Sequence, residues 1–210
     1  MFNFSDISEA LIVGNAPKVK LLVETALSEG TAPADIITKG LIPGMAVVGE
    51  RFKINEIYVP EVLIAARAMN AGLNIVKPLL AKGDFVPLGK VAIGTVKGDL
   101  HDIGKNLVAM MLEGNGFEIV DLGIDVSSEK FVNAVIEKGV THVAMSALLT
   151  TTMPSMKDTI DALKAAGVRD KVKVMIGGAP VTQKYSNEIG ADGYSSDASS
   201  AVDLAKALMA

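Results

Sequence analysis

Cysteine is absent from this chain of 210 residues, and histidine occurs only twice, at His101 and His142. The lack of cysteine excludes disulfides, thiolate metal sites, iron–sulfur clusters and cysteine nucleophiles. Two histidines are also too few for a multi-histidine zinc centre. We therefore expect any reactive chemistry to come from a bound cofactor.

Positive charge is also scarce. The chain carries 20 basic and 24 acidic side chains, a net charge of −4, and no cluster of lysine or arginine. A nucleic-acid-binding surface needs a positive stripe, so we expect no nucleic-acid partner. No apolar run approaches the roughly 20 residues that span a bilayer, and the first residues lack the pattern of a signal peptide. These absences predict a soluble, cytoplasmic protein with no membrane partner.

The N-terminal residues 1–84 show helical patterns and little strand character. Ser5 and Asn15 are candidate N-caps, and Pro17 follows Asn15 in a first turn, where its missing N–H costs nothing. The segment from Gly40 to Pro43 predicts a break between two further helices. Helices with such short connections predict a four-helix bundle as the N-terminal domain, and residues 85–90 predict a linker.

In residues 91–210 short apolar runs alternate with helix-period stretches. The predicted strands are Val91–Val96, Glu118–Leu122, His142–Leu148, Val172–Ile176 and Gly193–Ser195. The predicted helices cover about 105–115, 128–138, 153–166, 181–188 and the residues from Ala198 onward. This alternation predicts an α/β domain, a flavodoxin-like (Rossmann-like), doubly wound, parallel five-stranded sheet. Ligands of such sheets bind beyond the carboxyl ends of the strands.

The loop after the first predicted strand carries a carboxylate, Asp99, and an imidazole, His101. A carboxylate bonded to one ring nitrogen fixes the tautomer and directs the other nitrogen outward as a metal ligand or base. A single imidazole can supply one axial ligand to a metal that a macrocycle already holds. The alternative is a helix cap, in which Asp99 or Asp102 accepts hydrogen bonds from free N–H groups and His101 is merely exposed.

Two further strand ends carry candidate binding residues. Hydroxyls at Ser146 and Thr150 follow the third strand, although both residue types also cap helices routinely. Gly177 and Gly178 end the fourth strand and permit close approach of a flat ligand or of neighbouring backbone, and a tight turn explains them equally well. Signals at three successive strand ends favour a binding site at this edge. At the opposite edge, His142 opens the third strand and is expected to be structural.

Together these residues resemble the cobalamin-binding signature of corrinoid proteins that bind the cofactor base-off and His-on. The matching elements are Asp99-x-His101-x-x-Gly104, Ser146-x-Leu148 and Gly177-Gly178. In the N-terminal half, Gly44–Phe52 and Tyr58–Val62 are similar to the helical cap that precedes this domain in methionine synthase. A cap followed by such a domain makes up the whole of the small corrinoid proteins of methylamine, methanol, betaine and aryl-methyl-ether methyltransferase systems. The resemblance covers nearly the whole chain.

The resemblance implies a role for each matching residue. Through the nitrogen not bonded to Asp99, His101 is the expected lower axial ligand of cobalt, and this pair is the expected catalytic and metal site. Phe52 and Val59 of the cap are expected to shield the upper face of the corrin. At the position of Val59, many family members have leucine. The other expected cofactor-binding residues are Gly98, Asp102, Ile103, Gly104, Ser146, Leu148, Thr150, Gly177 and Gly178. Ser146 is expected either to extend the hydrogen-bond chain from Asp99 or to bond the nucleotide tail, and the paired glycines to line the slot for that tail.

The function that the resemblance implies is methyl carriage rather than a complete enzymatic reaction. A substrate-specific methyltransferase would load a methyl group from a methylamine, methanol, a betaine or an aryl methyl ether onto the cobalt of a bound cobalamin or related corrinoid. An acceptor methyltransferase would then move it to a thiol or a folate, and a reductive activase is a further expected partner. The alternatives are a cobalamin-dependent sensor or regulatory module, a mutase small subunit, and a flavodoxin-like domain without a corrinoid.

Overall fold

The computed structural model describes residues 2–81 and 84–209. Lys82 and Gly83, at the end of the predicted N-terminal domain, lie outside the described residues, as do both terminal residues. Contacts divide the chain into two units, one with the residues up to Pro87 and Gly114–Gly116, the other with Leu88–Glu113 and the residues from Phe117 onward. Across the described ranges, no helix is both long and apolar enough to traverse a bilayer.

The N-terminal unit is helical, as predicted. It contains α1 Phe4–Ile12, α2 Ala16–Ser28, α3 Pro33–Asp35, a π-helix Ile36–Leu41, α4 Ile42–Lys53, α5 Val59–Val76 and a 3₁₀ turn Lys77–Leu79. At the start of α2, the Asn15 side chain accepts a hydrogen bond from the Lys18 N–H at 3.0 Å, and Pro17 lies in the first turn. The predicted cap at Asn15 is therefore confirmed, and it satisfies an N–H group that the helix itself cannot pair. The predicted cap at Ser5 is wrong, because Ser5 lies inside α1 and its N–H donates to the side chain of the actual N-cap, Asn3, at 3.2 Å.

The predicted helix break between Gly40 and Pro43 is wrong. The chain stays helical because the π-helical turn Ile36–Leu41 joins α3 directly to α4. At the end of this turn, the Ile42 N–H donates to the carbonyl of Ile37, five residues back rather than four. Pro43 then falls in the first turn of α4, one residue after the shifted bond of Ile42.

The second unit contains a five-stranded parallel sheet in the order β2-β1-β3-β4-β5. The strands are β1 Lys90–Val96, β2 Glu118–Val126, β3 His142–Ser146, β4 Lys173–Gly177 and β5 Gly193–Ser195. The helices are α6 Ile103–Gly114, α7 Ser128–Lys138, α8 Pro154–Ala165, α9 Gln183–Ile189 and α10 Ala198–Ala207. This is the flavodoxin-like order, so the predicted fold class is confirmed. Its topological switch point lies between β1 and β3.

Both faces of the central strands are buried. On one face, Phe131 of α7 and Ile160 of α8 belong to the same buried apolar cluster as Val143 and Val174 of the strands. Neighbouring strand residues such as Met175 point to the opposite face and are also buried. The central strands are thus covered on both sides, whereas the edge strand β2 is partly exposed.

β2 continues beyond its predicted end at Leu122 and reaches Val126. Its pairing with β1 shifts in register on each side of the Gly94–Gly123 pair. The second shift places Asp125 in a β-bulge, where its backbone is left-handed with a φ of 50°. Because of these irregularities, residues 123–126 do not show the regular alternation by which a strand is predicted from sequence.

Candidate functional site

Asp99 follows β1 at the switch point, and its side chain is completely buried. Oδ1 of its carboxylate accepts hydrogen bonds from Nδ1 of His101 at 2.7 Å and from the His101 backbone N–H at 3.1 Å. Oδ2 accepts from the loop after β3, namely from the Leu148 N–H at 2.8 Å, the Leu149 N–H at 3.3 Å and Oγ1 of Thr152 at 2.7 Å. Five donors from two loops therefore replace the water that burial removes from the carboxylate.

These hydrogen bonds decide the charge of Asp99. Burial alone would raise its pKa, because it penalises the charged form. The bonds from His101, the Leu148 N–H and Thr152 outweigh this effect and hold the pKa of Asp99 well below its usual range. Asp99 is therefore ionised at neutral pH, so the proton in its bond with His101 belongs to Nδ1, and in the neutral imidazole the lone pair then lies on Nε2.

The His101 ring is fixed in orientation but remains accessible. Its side chain is 52% exposed, and its backbone carbonyl accepts a hydrogen bond from Oγ1 of the buried Thr95 at 2.7 Å. The helix-cap alternative does not describe Asp99, because its N–H donors belong to His101 and the β3 loop rather than to α6. The loop thus presents an oriented imidazole whose Nε2 can serve as a metal ligand or a base.

The surroundings of His101 fit a large, flat, partly apolar ligand. Leu100, directly before His101, is 68% exposed, and Ile103, the first residue of α6, is 76% exposed. In the loop after β3, Leu148 and Leu149 are each 43% exposed. Gly104 lies in the first turn of α6, and a Cβ added to it would meet no protein atom within 4 Å. No neighbouring side chain requires glycine at this position, and the first turn of α6 is therefore open to a ligand.

The described residues do not form a complete metal-binding site around His101. Within residues 2–81 and 84–209, no group of three or more histidine, cysteine or acidic residues is placed to hold an ion. One imidazole is a sufficient protein ligand only if a macrocycle supplies the others. The residues at this edge therefore fit a metal macrocycle better than a free ion.

Thr152 is the site residue that the sequence analysis missed. It is buried, and its hydroxyl bonds Asp99 in the place expected for Ser146. Ser146 is not among the partners of Asp99 in the described part of the chain, which leaves its expected contact with a nucleotide tail as the remaining role. Leu148 contributes its backbone N–H, and Thr150 is exposed in the same loop. Thr152 lies in a run of three threonines, where spacing alone does not distinguish it.

Gly178 meets neighbouring backbone. It has a φ of 125°, and a Cβ placed on it would lie 1.9 Å from the carbonyl oxygen of Ala147. The fold itself therefore requires glycine here, which favours the close backbone approach among the predicted alternatives. A Cβ on Gly177 would lie 3.1 Å from the carbonyl oxygen of Ser195. Both glycines lie at the same sheet edge as Asp99.

The other predicted residues lie in both units. Asp102 and Ile103 are exposed at the start of α6, and the Asp102 carboxylate accepts a hydrogen bond from the Asn106 side chain at 3.1 Å. Phe52 lies in α4 and Val59 is the first residue of α5, both in the helical unit. The structure thus gathers the predicted residues of the sheet unit at one edge, and it places the two cap residues in consecutive helices.

An ion pair between a buried lysine and a half-exposed aspartate lies beside this edge and was not predicted. Lys105, in the first turn of α6, has a side chain only 2% exposed, and its Nζ lies 2.7 Å from both carboxylate oxygens of Asp121 in β2. The Gly123 N–H donates to Oδ1 of the same carboxylate at 2.8 Å. This ion pair fixes α6 to β2 of the sheet. Because α6 directly follows the His101 loop, the pair also fixes the end of that loop.

Comparisons with known proteins identify the family. A family model described as a B12 binding domain matches residues 89–203, and a second model with the same description matches residues 4–77. The trimethylamine corrinoid protein of Methanosarcina barkeri is 48% identical over 186 residues, which are 88% of this chain and 86% of the relative. The chain belongs to the small corrinoid methyl-carrier proteins. The predicted resemblance is confirmed, and the cofactor of this corrinoid protein is cobalamin or a related corrinoid.

Further relatives agree over nearly the full length of the corrinoid protein. The dimethylamine corrinoid protein of Methanosarcina barkeri is 44% identical over 206 residues, which cover 98% of this chain and 96% of the relative. A solved methanol:cobalamin methyltransferase complex from the same organism matches with a TM-score of 0.89 and 32% identity, covering 98% of this chain and 79% of that chain. A cobalamin-binding protein from Desulfitobacterium hafniense DCB-2 matches with a TM-score of 0.81 and 33% identity, over 99% of this chain and 98% of that chain.

Proposed function

We propose that this protein binds its corrinoid base-off and His-on, with Nε2 of His101 as the lower axial ligand of cobalt. The observation that carries the proposal is the Asp99–His101 hydrogen bond of 2.7 Å at the switch point. It fixes Nδ1 as the protonated nitrogen and leaves Nε2 as the nitrogen available to a ligand on a half-exposed side chain. When bound, the corrinoid supplies the metal that accepts and releases the methyl group.

The residues of the sheet unit hold the cofactor in this proposal. Asp99 keeps the imidazole in one tautomer and one orientation, and Thr152 and the β3 loop keep Asp99 ionised. Beside the ring, the open space at Gly104 and the exposed Ile103 receive the corrin. The remaining proposed cofactor contacts are Gly98, Asp102, Ser146, Leu148, Thr150, Gly177 and Gly178.

The helical unit supplies the cap. We assign residues 1–84 to a helical cap domain, 85–90 to a linker and 91–210 to the cobalamin-binding domain. Phe52 and Val59 shield the upper face of the corrin in this assignment. An apolar cover excludes water from a reactive metal and has to move aside for each methyl transfer. The matches of the two halves to separate B12 binding domain models support this division.

The protein acts between other enzymes in this proposal. A substrate-specific methyltransferase loads the methyl group, a second methyltransferase removes it to a thiol or folate acceptor, and a reductive activase restores the cofactor after oxidation. The solved methanol:cobalamin methyltransferase complex supports a partner of the first kind. A methylated amine is the donor class with most support, because the relatives that match over most of this chain include dimethylamine and trimethylamine corrinoid proteins.

The loading reaction tests this function. The protein is reconstituted with cobalamin under reducing conditions and mixed with a methylamine-specific methyltransferase and its methylamine. We expect the absorption spectrum to change to that of the methylated corrinoid, and the methanol-specific enzyme with methanol to load it more slowly. If methyltransferases for methylamines, methanol, betaines and aryl methyl ethers all leave the spectrum unchanged, the carrier proposal is wrong.

A further inference from the structure

The end of β2 holds the His101 loop from the side opposite to β3. Oδ1 of Asp125 accepts a hydrogen bond from the Gly98 N–H at 2.7 Å, and the Asp125 N–H donates to the carbonyl oxygen of Asp99 at 3.0 Å. Because the strand order is β2-β1-β3, the loop after β1 lies between these two neighbours. Asp99 is therefore fixed through its side chain by the β3 loop and through its backbone by Asp125.

The backbone at this contact is unusual on both sides. Asp125 has a φ of 50°, a left-handed conformation that costs a residue with a Cβ roughly 1–2 kcal/mol. Its hydrogen-bond partner Gly98 has a φ of 83°, which glycine adopts without such a cost. β-Bulges beside binding sites commonly redirect a side chain, and unfavourable backbone persists where the surroundings require it. The bulge in β2 turns the Asp125 carboxylate toward the His101 loop instead of along the sheet.

We propose that Asp125 is a positioning residue that keeps the His101 loop in the conformation that presents Nε2 to cobalt. The proposal rests on the assignment of His101 as the axial ligand. Asp125 acts through Gly98 and Asp99 and makes no contact with the reacting atoms itself.

A purely structural role in the sheet does not account for these contacts. Both hydrogen bonds of Asp125 end on the loop, and the pairing of β1 with β2 resumes independently at Val96 and Val126. The Asp125 side chain is exposed and does not belong to the buried apolar cluster of this unit. Its loss should therefore loosen the loop more than it destabilises the fold.

Two substitutions separate the carboxylate from the backbone conformation. Asp125→Gly keeps the left-handed backbone and the bond to the Asp99 carbonyl but removes the acceptor for the Gly98 N–H. Asp125→Asn keeps an acceptor oxygen and a residue type that tolerates this backbone. The matched control is Asp192→Ala, which removes a carboxylate that accepts the Val174 N–H at 2.6 Å at the amino edge of the sheet.

The first measurement uses the cofactor-free, full-length protein. Hydrogen exchange of the peptide covering residues 97–102 reports how often the loop opens. We expect faster exchange in Asp125→Gly than in the wild type, and near-wild-type exchange in Asp125→Asn and Asp192→Ala. Unchanged exchange in Asp125→Gly would show that Asp125 does not hold the loop, and would overturn the inference without any reference to the cofactor.

The second measurement titrates methylcobalamin and records affinity and absorption spectrum, with His101→Ala as a reference. We expect Asp125→Gly to bind about tenfold more weakly, as for one lost charge-assisted hydrogen bond, with a smaller His-on fraction that Asp125→Asn restores. If His101→Ala loses the His-on spectrum while Asp125→Gly matches the wild type, only the present inference is wrong. If His101→Ala keeps the wild-type spectrum, the axial-ligand assignment itself is wrong.

Discussion

The hydroxyl of Thr152 provides the sharpest test of how the site is held together. Thr152→Val keeps the shape of the side chain and removes only the group that lies 2.7 Å from Oδ2 of Asp99. Asp99 is completely buried, so water cannot take the place of the missing donor. The Leu149 carbonyl, which also lies 2.9 Å from this hydroxyl, keeps the backbone N–H groups of Thr152 and Met153 as donors. The substitution therefore removes a hydrogen-bond donor from the Asp99 carboxylate and leaves the Leu149 carbonyl paired.

The size of the effect follows from the donors that remain. A hydrogen bond to a charged group contributes about 1.5–3 kcal/mol to the free energy of unfolding. Oδ2 of Asp99 still accepts from the Leu148 N–H at 2.8 Å, so we expect a cost near the middle of that range, about 2 kcal/mol. With a denaturant slope of about 2 kcal/mol per molar urea, the unfolding midpoint should fall by about 1 M.

Tyrosine fluorescence during urea unfolding measures this change in the sheet unit. Tyr185 and Tyr194 lie in that unit, Tyr58 lies in the helical unit, and the chain has no tryptophan. Thr152→Ser is the matched control, because it keeps the hydroxyl and loses only a methyl group. If the valine variant unfolds at the wild-type midpoint, or if serine costs as much as valine, the hydroxyl does not stabilise Asp99 and the reasoning is refuted.

Three further predictions concern the sheet unit, and urea unfolding measures each of them. Gly178→Ala should destabilise the protein by more than about 2 kcal/mol, because its Cβ would collide with the Ala147 carbonyl, and more than Gly177→Ala; equal effects would contradict the steric argument. Asp121→Asn should cost roughly 1–3 kcal/mol, because it leaves the charge of the buried Lys105 side chain without a counter-charge, and it should cost more than Lys105→Met, which leaves a half-exposed carboxylate that water can reach; the reverse order would refute this. Burial lowers the pKa of His142, so the unfolded chain takes up a proton near its ordinary pKa of about 6.5 before the folded chain does. The contribution of His142 to the free energy of unfolding should thus be fully present above that pH and should fall below it by at most about 1.4 kcal/mol per pH unit. His142→Gln should remove this contribution to the pH dependence between pH 7.5 and about 5.5, and identical pH profiles for the variant and the wild type would contradict the prediction.

The sequence predicted the features that depend on short-range patterns. The parallel sheet follows from alternating strands and helices, and the Asp99–His101 bond joins residues two positions apart in one loop. β3, by contrast, ends at Ser146 and not at Leu148 as predicted. The apolar run continues through Leu148, but the Leu148 N–H donates to the Asp99 carboxylate instead of pairing with a strand. Hydropathy reports burial and not the direction of an N–H group.

The missed features depend on partners that are distant in sequence. Thr152 lies 53 positions from Asp99, and Gly98 lies 27 positions from Asp125. Only the strand order brings these residues together, so no local spacing identifies them. The helix through Pro43 was missed for a different reason, since a π-helical turn changes which N–H is left without a partner. Helix-break rules assume regular α-helical bonding and do not apply at such a turn.

The central claim is that a protein imidazole, His101, binds cobalt. Electron paramagnetic resonance of the protein loaded with cob(II)alamin and labelled with ¹⁵N only at histidine tests it directly, because the axial nitrogen splits the cobalt lines. Nitrogen-14 has nuclear spin one and gives triplets, whereas nitrogen-15 has spin one-half and gives doublets. The account predicts doublets that disappear in His101→Ala, while the only other histidine, His142, is buried at the opposite edge of the sheet. Triplets that persist in the labelled protein would show that the cofactor's own base remains on cobalt, and the central claim would be wrong.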